Sequence, residues 1–397
     1  MRSGVEKRSL FENPAFRFVA LVGIASLFGD MTYEGGGSIN GQFLGSLGAS
    51  AATISIVAGL GEFLGYALRS VAGYVADRTK KPWAVSLVGY ALNLFAVPAM
   101  AFAPNWRVAS ALILAERTGR AIRKPTIEAM LSYTTEKFGR GWVYSLNTAL
   151  DETGATIGPL MMAFVLFRHG TLRFAYTLLF VSAALSLLSV VGARIKFPMP
   201  SKLEGSHGAT ARAKGFSRAY WMYMAGGACF ASGLMSYELI SFYLSSIKLV
   251  TEPWIPVLLA FATGSGVIAN LVLGRTYDRV GLPVLVLAAV LSAAFTPLVF
   301  QGKLGLVLLA MPLWGIGYAT QDTLLKAVVA GLLPKGHRSL AFGLFYAGYG
   351  CGWLIGSIVV GELFDHSKSA LVIFAVAAQL VSIPFFVLAS HMERAQS

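Results

Sequence analysis

The sequence has few charged residues, few cysteines and few histidines, and each scarcity argues against a class of protein. Only 13% of the 397 residues are charged and 56% are hydrophobic, whereas soluble domains carry about 25% charged residues. The two cysteines, Cys229 and Cys351, lie in apolar runs and provide neither a disulfide framework nor a zinc site. The five histidines lie in or beside polar connections, so a buried transition-metal site would lack its commonest ligand. We expect no soluble fold, no metal and no cofactor.

Long apolar runs, in contrast, repeat along the whole chain. A helix that spans a bilayer needs about 20 mostly apolar residues, and the runs are of that length. The charged segment before the first apolar run is too long for a cleaved signal peptide, so we expect the first helix to remain part of the protein. The sequence predicts an all-α membrane protein with twelve transmembrane helices at roughly 16–45, 51–75, 83–103, 107–134, 141–167, 172–194, 219–246, 254–275, 282–301, 304–333, 340–363 and 370–391.

The net charge of +13 is explained by where the basic residues lie. With these helices, 20 Arg and Lys residues fall on the face that holds both termini, and six fall on the other face. Basic residues accumulate on the cytoplasmic side of membrane proteins. We therefore predict a multi-pass plasma-membrane protein with both termini in the cytoplasm, in contact with lipid and not with nucleic acid.

A repeat divides the chain into two halves. The basic, Gly- and Ser-containing segment 195–218 separates 1–194 from 219–397 and has the composition of a flexible linker. Three segments recur across it: 29–34 at an offset of 204, 73–78 at 201, and the segment that ends at Gly158 at 198. An even number of helices in each half makes the repeat parallel, which predicts two six-helix bundles with substrate between them near the membrane midplane.

Three motifs resemble those of the major facilitator superfamily, over essentially the full chain. They are Gly73-Tyr-Val-Ala-Asp-Arg-Thr-Lys-Lys81 after helix two, Glu116-Arg117-Thr-Gly119 in helix four, and Gly154-Ala-Thr-Ile-Gly158-Pro159 in helix five. They are closest to the twelve-helix, proton-driven antiporter branch that includes drug-efflux proteins. The chain departs from the family pattern at Thr79, Leu160 and Met161. The resemblance implies a monomeric secondary transporter that works by alternating access.

The ends of helices two and eight carry a candidate conformational latch. A carboxylate at the end of a helix can approach the positive N-terminus of a neighbouring helix, and such a contact can form in one conformation and break in another. The alternative is a cytoplasmic turn whose charges set the topology. The candidate latch residues are Gly73, Asp77, Arg78, Asp278 and Arg279.

Helix five contains a small-residue surface. Gly154 and Gly158 are four residues apart and permit close helix packing, while Pro159 can bend the helix. We expect packing to be the main role of these three residues, with a hinge as the alternative.

Charged residues inside the predicted membrane region concentrate in the first half. On helix four, Glu116, Arg120, Lys124 and Glu128 form an i,i+4 ladder. A charge in the membrane costs at least about 2.5–3.5 kcal/mol and by default marks a functional site. One interpretation is proton coupling, because desolvation favours the protonated carboxyl group; the other is a static ion-pair network. We expect Asp30 or Glu34 to meet Arg117 or Arg120. The proton-coupling candidates are Asp30, Glu34, Arg117, Arg120, Asp151 and Glu152.

The second half is more neutral at the corresponding positions. Of the acidic residues, Glu34 alone keeps its acid in the repeat, as Glu238. We expect this half to contribute to substrate recognition, although any one polar side chain can instead serve as a helix–helix hydrogen bond. The substrate-cavity candidates are Tyr33, Asn40, Tyr237, Glu238, Gln321 and Asp322.

The sequence predicts a proton-coupled carrier of a small molecule, with export slightly favoured. One alternative is an organic-anion or metabolite carrier in which Arg117 and Arg120 bind the cargo. Another is a membrane sensor or scaffold without transport, but the linker is too short to be a sensory domain. We expect no enzyme, because the sequence contains no nucleotide loop, Ser-His-Asp order or metal motif.

Overall fold

The computed structural model describes residues 13–79, 81–134, 140–200, 216–325 and 338–394. We number the helices by membrane span, so that the two parts of the seventh are α7a and α7b. The helices are α1 Pro14–Ser46, α2 Ala51–Thr79, α3 Pro82–Ala99, α4 Trp106–Ser132, α5 Arg140–Phe167, α6 Leu172–Lys196, α7a Arg218–Gly233, α7b Tyr237–Ser246, α8 Trp254–Val280, α9 Leu282–Ala293, α10 Leu304–Ala319, α11 Arg338–His366 and α12 Lys368–Arg394.

This order confirms the all-α fold with twelve helices, with three local differences. The seventh helix is broken between Gly233 and Tyr237. The ninth is interrupted at Ala294 and continues as Phe295–Val299. The tenth leaves α-geometry after Ala319 and passes into a π-helical turn, Thr320–Leu325. The remainder of the predicted tenth helix, like most of the predicted linker, lies outside the described residues.

Polar residues at several helix starts explain where those helices begin. The side chains of Asn13, Asn105, Thr171 and Ser217 each accept a hydrogen bond from a backbone N–H of the first turn. A helix leaves its first four N–H groups without intrahelical acceptors, and such N-cap side chains satisfy one of them. The caps therefore set the starts of α1, α4, α6 and α7a.

Nine helices among the described residues are long and apolar enough to cross a membrane. The other three helices are exceptions for identifiable reasons. Seven charged residues interrupt the apolar character of α4, the break divides the seventh helix into pieces of 16 and 10 residues, and α10 has 16 residues before its π-helical turn. The exceptions are thus the helices that carry charge or irregular backbone.

Glycines show that the two halves pack by the same rule. A Cβ on Gly154 or Gly158 of α5 would clash with the α1 backbone, at the carbonyl oxygens of Leu27 and Met31. In the second half, Gly352 and Gly356 of α11 meet the α7a backbone in the same way. Glycine permits such close approach because it has no side chain. The predicted packing role of Gly154 and Gly158 agrees with this geometry.

The halves meet along symmetric pairs of helices. Helix α2 packs against α11, α5 packs against α8, and α1 packs against α7b. At the face away from the termini, the Ser55 hydroxyl donates to the Ser357 carbonyl at 2.6 Å, and a Cβ on Gly41 would clash with the Glu238 carbonyl oxygen. The two six-helix bundles are therefore in direct contact at that face.

Candidate functional site

Arg117 of α4 is the centre of a buried ion cluster that joins three helices. Its guanidinium lies 3.0 Å from a Glu62 carboxylate oxygen on α2 and 2.9 Å from one of Glu238 on α7b. A longer contact of 3.6 Å joins its Nε to Glu116. Glu116 also accepts a hydrogen bond from Asn93 at 2.7 Å. Since Glu238 belongs to the second half, the Arg117–Glu238 pair links the two bundles in the membrane interior.

A second ion pair holds α4 to α1 within the first half. Arg123 donates to Asp30 at 2.8 Å, and both side chains are buried. The Arg123 guanidinium also lies over the Tyr90 ring, 4.8 Å from its centroid. The expectation that Asp30 or Glu34 would pair with Arg117 or Arg120 was therefore wrong for Asp30. Arg123 lies six residues after Arg117, about 1.7 turns at 3.6 residues per turn, and it is the guanidinium of Arg123 that reaches Asp30.

Asp151 of α5 takes part in a weaker contact of the same network. Its carboxylate lies 4.0 Å from the Lys124 ammonium group and accepts a hydrogen bond from Asn147 at 3.2 Å. Glu152, the neighbouring candidate, is half-buried on the same helix. Asp151 thus belongs to the ion network, whereas a coupling role for either residue stays a prediction.

Glu34 and Arg120 differ from the other charged residues of this region. Neither forms an ion pair among the described residues. The Arg120 guanidinium instead lies over the Tyr33 ring at 3.8 Å from its centroid, and its Nε is buried without a hydrogen-bond partner. Glu34 is next to Tyr33 in α1 and is close enough to Arg120 for electrostatic interaction. Together they place one carboxylate and one guanidinium, each without a direct ionic partner, beside the cluster.

Glu238 of the cluster follows directly after the break in the seventh helix. Leu234 and Ser236 adopt extended backbone, and Glu238 lies in the first turn of α7b. A carboxylate is favourable at that helix N-terminus because of the helix dipole. The equivalent segment of α1 is uninterrupted helix, so the repeat in sequence does not extend to the backbone here.

Most substrate-cavity candidates are bonded to neighbouring helices. Tyr176 donates to the Asn40 carbonyl oxygen at 2.7 Å, and the Tyr237 hydroxyl donates to the Ile255 carbonyl. Gln321 donates to the Tyr66 hydroxyl and accepts from Tyr349 at 2.9 Å. These bonds agree with the alternative of helix–helix contacts. The Asp322 side chain lies outside the described part of the structure.

Aromatic side chains form the second-half side of the centre. The Trp314 and Tyr318 ring centroids are 4.1 Å apart, and Tyr318 meets Trp353 at 5.6 Å. Tyr318 lies near the charged groups of Arg117, Glu62 and Glu238. The centre is therefore charged on one side and aromatic on the other. Sequence reasoning ranked Glu62 below the other intramembrane charges, although its place inside helix two and its spacing of seven residues from Arg69 both pointed to an ion pair.

The candidate latch residues lie away from this centre. Arg78 is exposed and donates to the Tyr74 hydroxyl at 3.2 Å. Arg279 is also exposed, and a Cβ on Gly73 would meet nothing within 4 Å. The side chains of Asp77 and Asp278 are outside the described part of the chain, so the latch stays a prediction.

A small cavity adjoins the centre inside the first half. Tyr33, Asn40 and Glu116 line it, and it has room for about one water molecule. Within the described ranges, no three His, Cys, Asp or Glu side chains form a metal-binding group. The polar groups of the centre are thus arranged around one another and around this cavity.

Comparison with known families identifies the fold. The sequence profile of the Major Facilitator Superfamily matches residues 19–320 and 254–396. The chain belongs to the major facilitator superfamily. It is a multi-pass membrane transporter of that family, and the relatives and structural neighbours described below support this assignment.

Two curated relatives cover nearly the whole chain. An uncharacterised protein of Mycobacterium tuberculosis is 33% identical over 378 residues, which is 93% of this chain and 92% of the relative. An uncharacterised MFS-type transporter of Methanocaldococcus jannaschii is 22% identical over 380 residues, 92% of each chain.

Two solved transporters share the fold at low sequence identity. A peptide transporter POT in complex with sulfate has a TM-score of 0.75 and 14% identity, covering 98% of this chain and 97% of that one. The nucleoside transporter NupG has a TM-score of 0.70 and 13% identity, with coverage of 95% and 98%. At these identities the likeness concerns the fold alone.

Proposed function

We propose that this transporter is a proton-coupled antiporter that exports a cationic small molecule by alternating access. The observation that carries the proposal is the Arg117–Glu238 pair, which joins the two bundles at 2.9 Å within the membrane. Alternating access requires the bundles to separate at one face and close at the other. A charge pair between them is a contact that protonation can release.

The balance of charge around α4 supports proton coupling. Eight acidic residues lie on α4 or on the helices around it, Asp30, Glu34, Glu62, Glu116, Glu128, Asp151, Glu152 and Glu238, whereas the basic residues there are Arg69, Arg117, Arg120, Arg123 and Lys124. An uncompensated carboxylate is expensive in a medium of low dielectric constant, so it takes up a proton or pairs with a cation. Glu34, which lacks an ion pair among the described residues, is the first candidate to do so.

Competition between protons and a cationic cargo for these carboxylates is the basis on which we propose export. A proton on Glu238 removes its attraction for Arg117, and a cationic group of the cargo does the same by occupying the carboxylate. When proton and cargo exclude each other from the same groups, each crosses the membrane in place of the other. An inward proton gradient then drives the cargo outward.

A liposome experiment tests this proposal directly. Purified protein is reconstituted with a pH-sensitive dye inside, an inside-acidic gradient is imposed, and ethidium is added outside as a cationic probe. We expect ethidium to accelerate the loss of the gradient and to accumulate inside, because protons leave as the cation enters. Glu34→Gln should abolish this coupling, since the amide cannot bind a proton.

A conservative control and an opposing result complete the experiment. Ser189→Ala removes an exposed hydroxyl that bonds within its own helix, to the Leu185 carbonyl at 2.8 Å, and should transport like the unaltered protein. If Glu34→Gln couples as well as the unaltered protein, Glu34 is not the proton-carrying group. If a panel of lipophilic cations gives no flux above empty liposomes, cation export is wrong.

A second candidate function is organic-anion transport. Its specific support is Arg120, whose guanidinium has no ion pair among the described residues and whose Nε has no hydrogen-bond partner. Arg117, the other predicted anion ligand, is already engaged with three carboxylates. In this case benzoate, tested as a probe, should stabilise the protein against heat, and Arg120→Ala should remove that stabilisation.

The remaining assignments form part of the same proposal. The transporter would act as a monomer in the plasma membrane, with both termini and the linker 195–218 in the cytoplasm. The bundles 1–194 and 219–397 would move as the two units of alternating access, with no catalytic reaction. Cysteine labelling from outside intact cells, at Ser201→Cys of the linker and Thr251→Cys between α7b and α8, checks the orientation, and only the second should react.

A further inference from the structure

The break between α7a and α7b is not explained by its own sequence alone. The unwound residues are Leu234, Met235 and Ser236, and Leu and Met are good helix formers. No proline occurs here. Ser236 is the N-cap of α7b, yet it makes no capping bond and its buried hydroxyl has no partner. Gly233 and Ser236 do favour a helix end and a helix start, but α1 has Gly29 and Thr32 at the offset of 204 and is continuous. Local sequence alone therefore does not account for the interruption.

A broken helix inside a membrane needs other partners for its backbone. Unpaired carbonyl and N–H groups cost several kcal/mol in hydrocarbon, so a continuous helix is the default. Two side chains supply such partners at this break. Gln379 of α12 donates to the Gly233 carbonyl at 2.9 Å, and the Trp314 indole N–H of α10 donates to the Met235 carbonyl at 2.8 Å. Both donors are buried.

The first half provides an internal comparison. Helices α4 and α10 begin 198 residues apart, and at that offset Trp314 corresponds to Glu116. Helices α6 and α12 begin 196 residues apart, and at that offset Gln379 corresponds to Ala183, which is also buried. A carboxylate and a methyl group cannot donate to a carbonyl. The half without the two donors is the half in which the equivalent helix, α1, is continuous.

We propose that Gln379 and Trp314 are positioning residues that hold the seventh helix open and thereby aim Glu238 at Arg117. Each extended residue advances the chain by about 3.3 Å, against about 1.5 Å in a helix, without the helical rotation of about 100°. The break thus displaces and turns α7b relative to α7a. Glu34, the counterpart of Glu238 on a continuous helix, makes no ion pair among the described residues.

This inference rests on the proposed function only where it assigns a transport role to the Arg117–Glu238 pair. The geometry of the break does not depend on which cargo is carried. If Arg117–Glu238 is the contact that opens and closes, then Gln379 and Trp314 decide whether it can form. Packing adds to the two bonds: the Trp314 ring meets the Tyr237 ring edge-on at a centroid distance of 5.8 Å. A Cβ on Gly233 would clash with the α12 backbone at Ala375, which brings Gln379 close to the break.

Hydrogen–deuterium exchange of the protein in detergent or nanodiscs tests the proposal, because the proposal predicts whether amide exchange at the break becomes slower or faster. The variants are Gln379→Ala, which installs the first-half residue, and Trp314→Phe, which keeps a ring but removes the N–H. We expect their combination to slow amide exchange in residues 234–238 by tenfold or more, because the segment becomes helical. Loss of a purely structural cap would instead speed exchange. Unchanged or faster exchange at these amides overturns the proposal.

A double-mutant cycle on melting temperature gives the second readout. Gln379→Ala and Glu238→Gln should each lower the melting temperature, and together they should lower it by less than the sum, because both weaken the same pair. Ser186→Ala is the matched control: its hydroxyl donates to the Ala25 carbonyl of unbroken α1 at 2.6 Å, so its effect should add to that of Glu238→Gln. Strict additivity for Gln379→Ala contradicts the positioning role.

The outcomes separate this inference from the proposed function. If the combined variant does not fold, Gln379→Ala alone should slow exchange in the same direction by a smaller factor. Slower exchange together with an absence of proton-coupled flux in the unaltered protein would retain the positioning role and reject the antiporter. Normal proton-coupled flux together with unchanged amide exchange in the variants would retain the antiporter and reject the positioning role.

Discussion

The two halves of this transporter pack alike but carry different chemistry. In each half, a helix with two glycines four residues apart lies against the backbone of the half's first helix. Around the centre, however, the first half presents Arg117, Arg120 and Arg123 from α4, while the second presents the aromatic residues Trp314, Tyr318 and Trp353. The shared frame permits rocking of one half against the other, and the unlike surfaces permit one half to bind charge.

The difference also concerns the backbone. Helix α1 is continuous through Glu34, whereas the seventh helix is open just before Glu238. Glu238 crosses to Arg117 of the other half, and Glu34 has no ion pair among the described residues. A repeated glutamate can therefore serve as an ion-pair contact between halves in one copy and as a carboxylate without a direct ion pair among the described residues in the other.

The largest expected effect comes from removing the basic centre of the cluster. Arg117→Gln leaves Glu62, Glu116 and Glu238 without their shared cation, which should cost about 3–5 kcal/mol of stability, as for other broken buried ion pairs. Unfolding in detergent, followed by circular dichroism or a thiol-reactive dye, measures the loss. Adding Glu238→Gln to Arg117→Gln should recover part of it. A loss below about 1 kcal/mol would show that the cluster is not a tight ion network.

The two repeated glutamates should respond differently to neutralisation. Glu238→Gln removes a charge-assisted bond of 2.9 Å and should lower stability by about 1.5–3 kcal/mol. Glu34→Gln breaks no such bond and should lower stability by less than Glu238→Gln, while it abolishes proton-coupled flux. Equal stability losses in the two variants would contradict the distinction between an ion-paired Glu238 and a Glu34 without an ion pair.

The glycine contacts test the likeness of the halves. Gly158→Ala and Gly356→Ala each place a methyl group against the backbone of another helix, so each should destabilise by about 1–3 kcal/mol. The control is Gly264→Ala in α8, where a Cβ meets nothing within 4 Å and little change is expected. Melting temperatures of the three variants, compared side by side, measure this. A large loss of stability at one glycine and none at the other would show that the two halves do not pack alike.

The smallest expected effect concerns the repeated tyrosines. Tyr33→Leu removes the ring under Arg120 and Arg117, at 3.8 and 4.6 Å from its centroid, and should cost about 0.5–2 kcal/mol. Tyr33→Phe keeps the ring face and should be close to neutral. Tyr237→Phe, in contrast, loses the hydrogen bond to Ile255 and should cost about 0.5–1.5 kcal/mol. The prediction is contradicted if Tyr33→Phe is as costly as Tyr33→Leu.

Much of the fold was predictable because a bilayer imposes strong rules on a chain. A spanning segment must be apolar for about 20 residues, and its backbone must bond within itself, so hydropathy located most of the twelve helices. The three helices that depart from simple spans, α4, α7a–α7b and α10, carry charges or irregular backbone. Their departures depend on partners from other helices, which hydropathy does not record.

The candidate site was predictable in residue type but not in pairing. Intramembrane charge pointed to Asp30, Glu34, Arg117 and Arg120, but the pairing expected among them was wrong for Asp30, which binds Arg123. Arg117 bonds Glu62 and Glu238, which lie 55 residues before it and 121 residues after it in sequence. Such distances are bridged by the packing of α2 against α4 and of α7b against α1 and α2, and not by helical periodicity.

By itself, the sequence determined that the chain spans a membrane repeatedly, that its halves repeat, and that most of its buried charge lies in the first half. These properties follow from composition and spacing, because lipid excludes charge and glycine permits close helices. Tertiary structure alone decided that α7a and α7b separate at Leu234–Ser236, since Gln379 and Trp314 supply the hydrogen bonds that the unwound backbone lacks. It also decided that Glu238, and not its repeat partner Glu34, meets Arg117, because the helix that begins after the break carries Glu238 in its first turn, within reach of Arg117 across the interface.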